Sequence, residues 1–223
     1  MGAAPSHEDG ASGMRGGKKE VQTDFEAPEQ WRLEQVAALK AEFARGNYDF
    51  GVDAPTFEQF LSEALPPARG AARGLWQRFD TTESGLVNLM EVMSGLAVMC
   101  ASSVEAKIDL IFELNDFNAQ GSLSYDELVL LLYLVACSTV LTSGKGVLPE
   151  EHAMEAIADE AFVARNIDLT GRINRTDFST WIIDFLGLTE EAPSVGLREF
   201  LKRMQSLKPA KTAGPTAGQA ALA

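Results

Sequence analysis

The twelve residues Asp116–Glu127, DFNAQGSLSYDE, decide how the rest of the chain is read. Asp116, Asn118 and Gln120 put side-chain oxygens at positions 1, 3 and 5 of the stretch. Gly121 stands at position 6, where a loop of this length must turn sharply. Ser122 lends its backbone carbonyl at position 7, Ser124 acts at position 9 directly or through a water, and Glu127 closes at position 12 with both oxygens. The spacing suits Ca²⁺, which takes about 6–8 hard oxygen ligands at about 2.3–2.6 Å from alternate residues of a wrapped loop. Leu123 at position 8 is the apolar residue that would pair this loop with a neighbouring one. The flanks agree: Ile108, Ile111, Phe112 and Leu114 form an apolar face before the loop, and Leu128, Leu131 and Leu132 continue one after it. A plain polar turn between helices is the simpler alternative, and the matched flanks weigh against it.

The same helix-loop-helix pattern recurs. In Asp80–Glu91, DTTESGLVNLME, the candidate ligands are Asp80, Thr82, Ser84, the Leu86 carbonyl, Asn88 and Glu91, with Gly85 at the turn. In Asn166–Asp177, NIDLTGRINRTD, they are Asn166, Asp168, Thr170, the Arg172 carbonyl, Asn174 and Asp177, with Gly171 at the turn and Ile173 at position 8. Asp177 is shorter than Glu and reaches an ion with one oxygen, which favours Mg²⁺ or weak Ca²⁺ binding there.

An earlier unit admits two registers. Starting at Asn47 gives oxygens from Asn47, Asp49 and Glu58, but puts Val52 at the glycine position and turns Gln59, Ser62 and Glu63 inward. Starting at Arg45 puts Val52 at position 8 and buries Phe57, Phe60 and Leu61. Burial at about 1.5–3 kcal/mol per large apolar side chain selects the second register. It places Arg45, Phe50 and Thr56 at positions 1, 6 and 12, so this loop is expected to hold no metal.

Loop starts are separated by 35 residues (Arg45 to Asp80), 36 (Asp80 to Asp116) and 50 (Asp116 to Asn166), the excess falling in Thr142–Glu151. Four such units are a repeat that pairs into lobes. The expected fold is all-α: an N-lobe over 25–100, a C-lobe over 104–190, short β pairing between loops, and a C-terminal helix. Pro28 is expected to open the first helix, with Trp31, Val36, Leu39 and Phe43 along one face, and Pro66-Pro67 to end the second. The last helix spans 194–208, with Leu197, Phe200, Leu201, Met204 and Leu207 opposite Arg198, Lys202 and Arg203. The tails 1–24 and 209–223 carry little to bury and are expected to be disordered.

Composition narrows the class. A formal net charge of −13 over 223 residues argues against a nucleic-acid partner and against whole-surface attraction to anionic lipid. Cys100 and Cys137 sit in apolar runs and read as buried thiols. The apolar run Leu128–Leu141 is 14 residues, shorter than the ~18 of a membrane span, and reads as a core helix. No secretory signal is recognised, so a cytoplasmic location is expected. Met1-Gly2-Ala3-Ala4-Pro5-Ser6 matches an N-myristoylation pattern at Gly2, and membrane contact is expected only if Gly2 is acylated. His7 and His152 read as solvated, and no nucleophile–base spacing or phosphate-cradling loop is present, so an enzyme is not expected.

These residues resemble the EF-hand superfamily over about 29–190. The metal-less first hand, the long gap before the last hand, the terminal helix and the Gly2 pattern are similar to its four-hand branch: neuronal calcium sensors, calcineurin B and calaxin-like ciliary proteins. The resemblance implies a calcium-binding adaptor that grips a helical segment of a partner protein in an apolar groove; Met90, Met93, Leu96, Met99, Leu128, Leu131 and Leu132 are candidates for its lining. The alternative it implies is a constitutive component of a cytoskeletal or ciliary (axonemal) assembly. Each candidate loop has two acidic ligands, which points to weak-to-moderate affinity.

Overall fold

The computed structural model describes residues 31–65, 72–143 and 147–187. The Gly2 pattern, Pro28, Pro66-Pro67, both tails and the helix over 194–208 lie outside the described residues. Among those described, eight helices and four short strands alternate as α1 (Leu33–Gly46), β1 (Gly51–Val52), α2 (Ala54–Ala64), α3 (Ala72–Phe79), β2 (Val87–Asn88), α4 (Leu89–Met99), α5 (Val104–Asn115), β3 (Ser122–Ser124), α6 (Tyr125–Ser143), α7 (Glu151–Ala164), β4 (Arg172–Asn174) and α8 (Arg175–Leu186). The chain is all-α; among the described residues the strands pair loop to loop, and an isolated bridge joins Arg32 to Ala101.

The strands set the register. Antiparallel β1–β2 places Val52 opposite Val87, and β3–β4 places Leu123 opposite Ile173. All four side chains are buried. Val52 thus occupies the same place in its loop as Val87, and Phe57, Phe60 and Leu61 are buried on α2, as the Arg45 register requires.

Helix starts follow local chemistry. Asp53 caps α2 by accepting from the Thr56 amide at 3.0 Å, and Asn88 caps α4 by accepting from Met90 and Glu91. Asn174 caps α8, and Gly187 ends it with φ +59°. The first helix departs from expectation. It begins at Leu33, because Arg32 is extended (φ −101°, ψ 156°). Trp31 is buried ahead of the helix, not along its face, and its carbonyl accepts from the Ala101 amide at 2.6 Å. That bond ties the chain ahead of α1 to the end of α4.

α6 has 19 residues, longer than the apolar run within it. Its stretch Tyr125–Thr142 has the length and mean hydropathy (1.5) of a membrane span. It is apolar nearly all round because it packs on α4 along one side and α7 along the other. Ser138, Thr139 and Thr142 are buried within it, and each hydroxyl donates to a carbonyl one turn back. Gly95 of α4 permits the close approach, since a Cβ there would stand 3.0 Å from the Ser138 Cβ. One continuous hydrophobic cluster results, running from Trp31 to Phe185. It absorbs Met90, Met93, Leu96, Leu128, Leu131 and Leu132, so these residues are core in this structure and line no open groove. Polar links add to the join. The Glu113 carboxylate accepts from Lys40 of α1 at 2.9 Å and Arg175 of α8 at 3.0 Å, and Phe50 of the first loop meets Phe117 of the third edge-on.

Candidate metal centre

In the first loop position 1 is itself a cation, and it pairs with carboxylates of the flanking helices. Arg45 donates to Glu42 and Glu63, and its guanidinium holds the Glu42 carboxyl below the usual carboxylate range. Tyr48 donates to Glu42 and packs edge-on against Phe60, 5.2 Å between centroids. Phe50 stands at the turn, 52% exposed, and the Thr56 amide is spent on the Asp53 cap. No donor set for calcium exists here.

The second and third loops share one backbone plan. Asp80 accepts from the amides of Ser84 (2.8 Å) and Gly85 (3.1 Å), and Asp116 accepts from those of Gln120 (3.0 Å) and Gly121 (2.7 Å). In each, the position-1 carboxylate gathers the amides of positions 5 and 6, and the glycine turns with positive φ, +76° and +70°. Asn118 also accepts from the Gln120 amide. Asp116 and Asn118 thus share the Gln120 amide, which draws their side-chain oxygens together at the start of the loop. Gly121→Ala meets no atom but must hold its Cβ at φ +70°, and is expected to lower the unfolding free energy by about 1–2 kcal/mol in calcium-free thermal melts.

The two loops differ at position 12. Glu127 accepts from the Ser124 amide at 2.8 Å, returning toward its own loop. Burial pushes the Glu91 carboxyl up to about 7, and its charge reaches Tyr133 and Cys137 of α6. Among the described residues, no hydrogen bond joins Glu91 to Asp80, Thr82 or Ser84; Ser84 instead bridges Asp80 and Leu86, and Asn88 is occupied as the α4 cap. The sign for stability follows. The folded pKa lies above the ordinary 4.5, so the unfolded chain ionises first and stability falls as pH rises from about 4.5 through about 7. Urea titrations of the calcium-free chain should show that decline, and Glu91→Gln should flatten it.

The fourth loop is built differently. Asn166 has φ +53° and does not gather the loop's amides as Asp80 and Asp116 do; its own amide donates to the Val163 carbonyl. Asp168 takes over, accepting from the Thr170 amide (2.8 Å) and hydroxyl (2.6 Å), which hold its carboxyl below the usual range. Gly171 donates to the Asp168 carbonyl, and Asn174 binds Asp177 through both its amide oxygen and its amide nitrogen. The two pairs Asp168–Thr170 and Asn174–Asp177 form, but Asn166 is not brought to them. Among the described residues, no three His, Cys, Asp or Glu side chains cluster as a metal site. With two acidic ligands in each loop, any cation here rests largely on amide, hydroxyl and carbonyl oxygens.

One participant was not singled out for its side chain. Arg172 contributes its carbonyl position to the fourth loop, but its guanidinium crosses to the third. There it donates to the Glu127 carboxylate (2.7 Å), the Ser122 carbonyl (2.6 Å) and the Ser122 hydroxyl (2.9 Å). The β3–β4 register, which sets Arg172 opposite Ser124, makes the reach possible. Position 7 bearing a long cation was the available signal.

No protein-family model matches the chain. The chain is 22% identical over 144 residues to visinin of Gallus gallus, covering 64% of this chain and 70% of visinin. That distant likeness supports a place for the chain in the EF-hand superfamily.

Proposed function

We propose that this chain, read as an EF-hand protein, is a calcium-binding regulatory adaptor with weak-to-moderate affinity. The third loop is its principal site: Asp116, Asn118, Gln120, Ser122, Ser124 and Glu127 hold the ion. Asp80, Thr82, Ser84, Leu86, Asn88 and Glu91 form a second, weaker site, since Ser84 is engaged with Asp80 and Leu86, and Asn88 caps α4. Asn166, Asp168, Thr170, Arg172, Asn174 and Asp177 suit Mg²⁺ or Ca²⁺ at higher concentration. One observation carries the reading: Asp80 and Asp116 gather the amides of positions 5 and 6 around a left-handed glycine, in two separate loops. Ca²⁺ supplies charge and coordination that repack the helices flanking its loop.

The partner is a helical protein segment of basic, amphipathic character. A cleft of about 580 Å³ between α6 and α7 fits it, with Val129, Leu130 and Tyr133 as an apolar floor and Asp126, Glu151 and Glu155 as an acidic rim. Leu130, which lines the cleft, is a large apolar side chain left exposed. The continuous core between α4 and α6 favours a second reading, a constitutive structural component of a cytoskeletal or ciliary assembly that changes little with calcium.

Calorimetric calcium titration of the full chain with millimolar Mg²⁺ present separates the two. Micromolar binding accompanied by tighter capture of a basic amphipathic peptide supports the adaptor. A folded chain with no calcium binding removes the adaptor and leaves the structural component.

A further inference from the structure

We infer that Arg172 is a tethered counter-cation of the third loop, occupying its calcium ligands in the calcium-free chain and setting how much calcium is needed to fill it. The inference rests on the proposal that the third loop binds calcium.

The guanidinium meets the oxygens that the ion requires. Glu127 is the position-12 carboxylate and Ser122 the position-7 carbonyl, and Arg172 donates to both. The salt bridge is half-buried, with 32% of the Arg172 and 18% of the Glu127 side chain exposed, so it is desolvated enough to matter. A guanidinium is planar, always charged and bidentate, and so satisfies two oxygens that a divalent cation would otherwise gather. The arrangement is built into the fold. Residues 172 and 124 face each other across β3–β4, and the side chain of position 7 points out of its own loop toward the partner's. The second loop is built without such a contact, since its neighbour across β1–β2 offers Gly51 and Val52. Calcium entering the third loop must therefore displace a bound cation.

The test is calcium titration of the full chain and of Arg172→Gln, Arg172→Lys and Arg175→Gln. Calorimetry gives affinity, and the amide resonance of Gly121, which donates to Asp116, reports the third loop specifically. Arg175→Gln is the charge control: it removes one positive charge from α8, where Arg175 binds Glu113 and does not touch the loop. Arg172→Gln should tighten calcium binding at Gly121 by about tenfold or more, since a charged hydrogen-bonded competitor is gone. Arg172→Lys should fall between, keeping the charge and losing the fork. In the calcium-free state Arg172→Gln should melt earlier than wild type, with the gap closing at saturating calcium.

A purely structural Arg172 gives the opposite result: calcium affinity unchanged or weaker, or changed no more than by Arg175→Gln, and the inference is then overturned. If the wild-type chain binds calcium in the third loop, as the Gly121 amide reports, and Arg172→Gln binds no tighter, the inference fails and the adaptor stands. If only the variant binds, the inference stands and the wild-type chain is a structural component. If neither binds, both fall.

Discussion

Glu127→Gln removes calcium from the third loop, weakening binding there by at least about 100-fold, or about 2.7 kcal/mol. The substitution is nearly isosteric and keeps one oxygen, so the loss reports charge and second-oxygen coordination, not shape. The loop carries two acidic ligands, Asp116 and Glu127, and losing either halves the formal negative charge of its ligand set. The remaining side-chain oxygen can still accept from the Ser124 amide, so the start of α6 should persist. The calcium-free chain feels the change as well. Arg172 loses its anionic partner in a half-buried setting, and the chain should unfold about 1–3 kcal/mol more easily. Calorimetry and urea denaturation of the same preparation check both effects. A calcium isotherm identical to wild type would mean that the ion binds elsewhere.

Phe60→Ala is expected to have the largest effect on stability, about 3–5 kcal/mol, although it lies in the hand that holds no metal. Phe60 is fully buried, and the Tyr48 ring packs edge-on against it. Removing it leaves a cavity between α1 and α2, whose packing holds β1 against β2. The effect should therefore reach the second loop, because the Phe50 carbonyl accepts from the Leu89 amide and Val52 backs Val87. The expected result is a lower urea midpoint with unchanged slope, together with weaker calcium binding at Asp80–Glu91. The slope matters, because a changed one would mean that the compactness of the calcium-free chain had altered as well. If stability drops and the second loop binds as before, the first hand is a passive filler and not a brace.

Much of the fold was legible in local pattern. Gly at position 6 and an apolar residue at position 8 recur in each candidate metal loop, and the burial of Phe57, Phe60 and Leu61 chose the first loop's register without any structure. These readings depend on the spacing of neighbours along the chain, which a sequence displays directly. The start of α1 was less legible. Trp31 is buried ahead of the helix, and its carbonyl bonds Ala101, about seventy residues away, a contact that local pattern does not display.

The candidate ligands, their order in each loop and the absence of a donor set in the first hand were determined by the sequence by itself, because each depends on residue type at fixed intervals within twelve positions. Only the tertiary structure decided what those ligands touch. Glu91 is left half-buried near α6, Met90, Met93 and Leu96 pack into the core, the β3–β4 register carries Arg172 onto Glu127, and Asp168 accepts from the Thr170 amide in the fourth loop. The reason is physical: packing and cross-strand pairing act between residues tens of positions apart, and their outcome depends on how whole helices fit together, which local spacing does not encode.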